Sequence, residues 1–307
     1  MSDAVLDRSA EQTTRVRKGI RASYFRNPWR KPRMLQALTV GYLLWSLMPV
    51  VIAVVFSFNS GRSRSSWQGF SLRWWNGDQF DSLFTDEALR QAMFHTFRLA
   101  IPTAIVAVGI GTAFAIGIDR WRGRPARGAN FLMLLSFVLP EMILGVSLFL
   151  VFTFLLDNVM KLGTGAQWLG LITFQMSYAV VIVRARLLSI GPEYEEAAMD
   201  LGARPGQSMR RVLLPLLSPA ILASVAVVFA DTVDDFVIVR FLSGAADTEP
   251  LSVKIYSAAR ASPTPAVNAA ATVMLVSTMT VIAIAYLLYR RYGRGQHGAD
   301  VSSFTQL

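Results

Sequence analysis

Six long apolar runs constrain this chain more than any other feature. They cover residues 35–58, 99–118, 131–156, 168–183 (continuing toward Leu188), 216–242 and 266–289. A helix needs ~20 apolar residues to cross a bilayer core about 30 Å thick. The expected fold is therefore an all-α membrane protein with six transmembrane helices. A transmembrane β-barrel would show shorter segments that alternate in polarity. Composition agrees: 53% of residues are hydrophobic and 16% charged, where a soluble domain carries about 25% charged residues. With no Cys, a disulfide scaffold, a thiolate nucleophile and a cysteine metal site are all excluded. Two histidines, His95 and His297, give no basis for a histidine metal centre, and no metal site is expected.

The runs divide the chain into a basic tail (residues 1–34), a six-helix domain (35–290) and a C-terminal tail (291–307). The first tail contains no apolar core of signal-peptide length. Orientation follows from Lys and Arg. The two tails and the loops after the second and fourth runs hold 21 of them, against 7 in the alternate loops. Positive charge collects on the cytoplasmic side, so both termini are expected there. The same rule gives the net charge of +10 a membrane explanation in place of a nucleic-acid one. Aromatic residues interleave with the basic ones at Tyr24, Phe25 and Trp29, which leaves a lipid-headgroup patch as the alternative to a simple anchor. Trp67, Trp74 and Trp75 fall in the first external loop, as an interfacial aromatic belt or as a docking surface.

The segment 191–219, GPEYEEAAMDLGARPGQSMRRVLLPLLSP, carries an organised cytoplasmic loop. Gly191-Pro192 makes a turn into a helix. Glu193, Glu195 and Glu196 favour the positive end of that helix. Gly202 is placed to end it in a left-handed conformation. Pro205 starts a second short helix over 206–213, and Pro215 is expected to end it. A loop this long that builds its own helices suits packing against a partner.

Acidic residues inside the apolar runs are the other informative group. Asp231, Asp234 and Asp235 are spaced i, i+3, i+4 and would share one helical face. Glu141 follows Pro140 in the third run. Each Asp at bilayer depth costs about 2.5–3.5 kcal/mol on insertion scales, so these residues should face an interior cavity or a paired subunit. Three readings stand: structural pairing with Arg98 or Arg240 or capping near Pro140, a cation pathway, and chemistry such as a proton relay. An aspartyl protease would need a Gly-x-Gly-Asp context and two facing helices, and neither is present.

The loop carries a resemblance. Glu196-Ala197-Ala198, Gly202 three residues on, Val212 after nine more, and Leu214-Pro215 follow the signature of ABC importer permeases of the MetI-like type. Val212 departs mildly from the family's usual Ile. The resemblance implies that Glu196, Ala197, Ala198, Gly202, Val212, Leu214 and Pro215 couple to a cytoplasmic ATPase subunit. The chain carries no G-x-x-x-x-G-K-[ST] phosphate loop of its own. The resemblance thus implies a non-enzymatic subunit that binds no cofactor, with ATP and Mg used by the partners. Those partners would be a homologous second permease, two ATPase subunits and an extracytoplasmic binding protein, in a bacterial inner membrane and with no nucleic acid.

FNSGRSRSSWQGFSLRWW (58–75), VDDFVIVRFLSG (233–244), LSVKIYS (251–257) and PAVNAAAT (265–272) resemble the spermidine/putrescine branch, over residues 35 to 290. That branch often has Asp where Glu141 stands. The substrate pathway it implies runs along Asp231, Asp234, Asp235 and Glu141, with Trp67 and Trp75 offering cation–π contacts at the external mouth. Gly109, Gly111 and Gly117 are expected to permit close helix contact. Two alternatives stay open: an ABC permease for another solute such as an amino acid, thiamine or ferric ion, and an ion-coupled secondary transporter.

Overall fold

The computed structural model describes residues 33–63, 66–77, 82–120, 123–261 and 265–293. Most of the basic N-terminal tail and the C-terminal tail, with Tyr24, Phe25, Trp29 and His297, lie outside these residues. The helices are α1 (Arg33–Phe56), α2 (Glu87–Arg120), α3 (Arg124–Val138), α4 (Glu141–Leu150), α5 (Thr164–Ile190), α6 (Glu193–Asp200), α7 (Pro205–Ser208), α8 (Leu214–Asp234), α9 (Val237–Leu242), α10 (Leu251–Ala261) and α11 (Pro265–Gly293). Five stretches are long and apolar enough to cross a membrane: α1, α2, α5, Pro205–Asp234 and α11. A sixth exists if the bent pair α3–α4 forms one span.

Contacts divide the chain into two units, residues 1–52 and 53–307. The described part of the first is the body of α1. Its large apolar side chains, from Met34 through Leu43, Trp45 and Ile52, are exposed, as suits a helix solvated by lipid. Its hydroxyls are satisfied within the helix, Thr39 Oγ1 donating to Leu35 O (2.8 Å) and Ser46 Oγ to Leu43 O (3.0 Å).

In the second unit α5 is the central element, packed against α2 and α8, with α11 against α8 and α9 against α4 and α5. Small residues set these approaches. A Cβ on Gly111 of α2 would stand 2.7 Å from Ala179 Cβ and 2.9 Å from Met176 O of α5. Gly109 and Gly117 face open space instead, so only Gly111 makes the close contact expected of the three. Gly145 and Gly170 do the same for α9: their added Cβ atoms would meet Phe241 at 2.9 Å and Leu242 at 2.5 Å.

Two predicted spans are broken. The third run bends by 105° between α3 and α4. Leu139 (φ −59°, ψ 135°) and Pro140 (φ −57°, ψ 127°) are both extended, because a proline ring disfavours the helical region for the residue before it. The fifth run ends as α8 at Asp234. Asp235 (φ −54°, ψ 125°) leaves the helix, and α9 restarts at Val237. The expectation of three aspartates on one continuous helical face is therefore overturned. An Asp side chain competes for nearby backbone donors and stabilises such exits.

The segment 191–219 forms the two short helices expected, but Pro215 does not end the second. A wide π turn, Met209–Leu213, leads from α7 directly into α8, whose first turn holds Pro215. Proline lacks an N–H and its ring clashes with the carbonyl four residues back. Widening the preceding turn accommodates that, and Leu214 N bonds to Met209 O, five residues back.

Candidate functional site: carboxyl groups at two helix breaks

The break after α3 places Glu141 at the start of α4, where the helix dipole favours a carboxylate. The break after α8 turns Asp235 inward. Its Oδ1 accepts from Val239 N in the first turn of α9 (3.2 Å), and its carbonyl accepts from Ser252 Oγ (2.6 Å). Asp235 is 6% exposed; its Oδ2 meets no N–H or hydroxyl donor among the described residues, and its carboxyl group lies at hydrogen-bonding range of the Glu141 carboxyl. Glu141 also lies within electrostatic reach of Asp231 and Asp234. Asp231, one turn before the break, accepts from Gln175 Nε2 at 2.7 Å through Oδ2. Tyr178, one turn further along α5, faces the same three carboxyl groups. Its ring meets Phe137 and Phe174 edge-on, with centroids 5.3 and 5.6 Å apart.

Asp234 also acts electrostatically on Glu141, but from a different setting. It is exposed while Asp235 is buried, because the helix ends between them. Asp231 also forms part of the wall of a cavity of about 600 Å³ between α8 and α11, otherwise lined by residues such as Ala226, Ala230, Tyr286 and Tyr289. The structure therefore gathers Glu141, Asp231 and Asp235 with Gln175 and Tyr178, two residues that the sequence reading missed. The only available signal was their polarity inside an otherwise apolar run.

The proposed structural partners of the acids are engaged elsewhere. Arg240 pairs with Glu249 (2.7 Å), which also holds Lys254 (3.3 Å). The Arg98 guanidinium sits 5.9 Å from the Trp168 ring centroid, and the Trp168 indole donates to Arg98 O. A separate buried node fixes the far end of α9. Gln167 donates to Val239 O, Ser243 Oγ and Thr248 O, while its Oε1 meets His95 Nε2 at 2.9 Å.

The tryptophans form a group of their own. Trp75 stacks on Phe58 (5.3 Å), Phe58 on Phe70 (5.6 Å), and Trp67 meets Phe56 edge-on (6.4 Å). Trp74 is buried and donates from Nε1 to Asn59 O (2.6 Å). Among the described residues, no hydrogen bond or shared cavity wall joins Trp67 or Trp75 to the carboxyl groups.

At the other end of the fold, α6 carries Glu196, Ala197 and Ala198. It stops at Gly202, which has φ +89° and donates to Met199 O (2.8 Å). Ala203 N reaches back to Ala198 O (3.0 Å), which completes a left-handed termination. Glu195 pairs with Arg120 at the end of α2. Leu213 and Leu217 sink into an apolar cluster with Ala115, Ile116, Val183 and Leu187. The loop is thus rooted in α2, α5 and α8. Its outer side stays uncovered: Tyr194, Met199 and Leu201 are exposed, Leu201 at 90%. A cleft of about 510 Å³ opens between this loop and the ends of α2 and α5, lined in part by Asp119, Leu188, Glu196 and Pro205.

Comparison with known proteins agrees with this architecture. The family described as "Binding-protein-dependent transport system inner membrane component" matches residues 105–297. The spermidine/putrescine transport system permease protein PotC of Shigella flexneri is 34% identical, covering 83% of this chain and 92% of PotC. The putrescine transport system permease protein PotI of Escherichia coli K12 is 33% identical, covering 87% of this chain and 92% of PotI. The sulfate transport system permease protein CysT of Salmonella typhimurium is 34% identical over 61% of this chain and 70% of CysT. Among solved structures, a bacterial ABC transporter involved in alginate import superposes with a TM-score of 0.67 at 17% identity, covering 90% of this chain and 99% of that one. The chain is a multi-pass inner-membrane permease subunit of an ABC importer and belongs to the binding-protein-dependent transport system inner membrane component family.

Proposed function

We propose that this chain translocates linear polyamines, spermidine or putrescine, along a path that passes Glu141, Asp231 and Asp235. The observation that carries the reading is the meeting of these three carboxyl groups at two helix breaks, with Asp235 buried and in reach of the Glu141 carboxyl. A polycation is drawn to such a site strongly because the surrounding dielectric is low. PotC and PotI support the same solute class, each by its own described substrate. Asp234 takes a secondary place on the path because it is exposed. Trp67 and Trp75 act at the external mouth, through the aromatic platform they share with Phe56 and Phe58.

The assembly pairs this chain with a second, homologous permease, two cytoplasmic ATPase subunits that use ATP and Mg, and an extracytoplasmic binding protein. Glu196, Ala197, Ala198, Gly202, Val212, Leu214 and Pro215 form the ATPase-coupling loop. The exposed apolar side chains of α6 and the adjoining turn supply its contact surface, and the buried cluster at Leu213 and Leu217 carries movement into α2 and α5. Alternating access follows from closure of the ATPase pair. Both termini lie in the cytoplasm, as the distribution of Lys and Arg favours. A tag fused after Leu307 should accordingly be reached by a membrane-impermeant label only after the membrane is permeabilised. Labelling of intact spheroplasts would reverse the topology.

Uptake of labelled putrescine and spermidine by cells lacking this chain, with the partner subunits present, tests the substrate. Restoration by the wild-type chain is the expected result. CysT supports a second reading, in which another solute is carried. Carboxyl groups on the path disfavour an anion such as sulfate, and restored sulfate uptake without polyamine uptake would replace the polyamine reading.

A further inference from the structure

Gln175 is fully buried in α5, and its amide is oriented by one contact. Nε2 donates to Asp231 Oδ2 at 2.7 Å, which leaves Oε1 as the other end of the same rigid group. That Oε1 is buried and has no hydrogen-bond partner among the described residues. Asp235 Oδ2 likewise meets no N–H or hydroxyl donor among the described residues, although the Asp235 carboxyl group is within reach of the Glu141 carboxyl, and Asp235 and Asp231 interact electrostatically. A buried unpaired acceptor carries a desolvation cost that native structures avoid unless a donor arrives from outside. Both oxygens are acceptors, and both belong to the group that contains Asp231. The ligand they call for is a donor with several N–H bonds and a positive charge.

We propose that Gln175 is a specificity-determining residue that accepts through Oε1 from a primary ammonium of the substrate, while its Nε2 holds Asp231 in place. A primary ammonium offers three N–H donors. One goes to Gln175 Oε1, and the other two are left for the carboxyl groups gathered around Asp231. A carboxyl group attracts any cation of the right charge, whereas an amide oxygen distinguishes a cation that donates hydrogen bonds from one that does not. Gln175 therefore separates primary amines from fully methylated ones of the same charge. Tyr178, with its ring held by Phe137 and Phe174, lies within electrostatic reach of the same carboxyl groups and suits the methylene chain beyond the ammonium. The inference rests on the polyamine reading and names how that site selects its cation.

The test uses the assembled permease–ATPase complex, purified without the binding protein so that the binding protein's own selectivity does not intervene. Thermal stabilisation by putrescine is compared with stabilisation by its permethylated, doubly quaternary analogue. Wild type should be stabilised by putrescine at concentrations at least tenfold lower than by the analogue, since hydrogen bonds to charged groups are among the stronger ones. In Gln175→Leu and Gln175→Met that preference should fall to about twofold or less, with putrescine losing more affinity than the analogue. Gln175→Met keeps the length of the side chain and serves if the leucine variant does not assemble. Equal stabilisation of wild type by the two amines overturns the proposal without any variant. So does an unchanged preference in an assembled variant. If wild type binds neither amine and cells transport another solute, the polyamine reading itself fails, a result distinct from both.

Discussion

Replacing Gly202 with Asp should abolish transport while leaving the permease inserted and folded. Gly202 ends α6 with φ +89°, a conformation that an L-residue adopts at a cost of roughly 1–2 kcal/mol. A Cβ at this position meets nothing within 4 Å, so sterics inside the chain add nothing to that cost. The two contributions can be separated by a graded series. Gly202→Ala carries only the conformational cost and should reduce uptake a few-fold. Gly202→Asp adds a charge beside Leu201, on the uncovered surface assigned to the ATPase, and should reduce uptake by well over tenfold. Glu196→Lys, one turn before the end of α6, should have a similar effect through charge reversal alone. Uptake, ATPase co-purification and membrane content of the variants are the measurements. Equal uptake by Gly202→Asp and wild type, with the ATPase bound, would remove this loop from coupling.

The helices of the loop 191–219 were largely legible in the sequence because their signals are local. Pro192, the three glutamates, Gly202 and Pro205 each act on the backbone within a few residues, and α6 and α7 appear where those signals put them. Pro215 misled because a proline normally stops a helix. Here the preceding turn opens to Met209–Leu213, and the chain continues as α8. The six apolar runs gave the membrane class, since burial in lipid depends on summed hydropathy along tens of residues. The same summation hides a break. Residues 216–242 remain apolar on both sides of Asp235, so nothing in the hydropathy marks where α8 stops and α9 begins. One residue's turn out of the helix then decided which aspartate is buried. The two glutamines of α5 were equally silent. Gln167 and Gln175 both read as tolerable polar residues in a span, and only packing reveals that one anchors α9 while the other holds Asp231.

That break yields the second large effect. Asp235→Asn should reduce polyamine uptake by roughly 10- to 100-fold, the equivalent of losing one hydrogen bond to a charged group worth about 1.5–3 kcal/mol. The substitution is nearly isosteric, and the Asn carbonyl oxygen can still accept from Val239 N, so the start of α9 is preserved. The Oδ2 position becomes an amide that donates where the cation also donates. Asp234→Asn should cost less than threefold, because that side chain is exposed and its charge is screened by solvent. Asp231→Asn should fall between them, since Asn can keep an oxygen for Gln175 Nε2 while losing its charge. The order of the three effects is the critical readout. A continuous helix would set the neighbouring side chains about 100° apart around one axis, whereas a helix that ends at Asp234 leaves that side chain exposed and buries Asp235. Measuring KM and maximal uptake for each variant with the partner subunits present decides it. A larger loss in Asp234→Asn than in Asp235→Asn would move the cation path to the exposed face and away from Glu141.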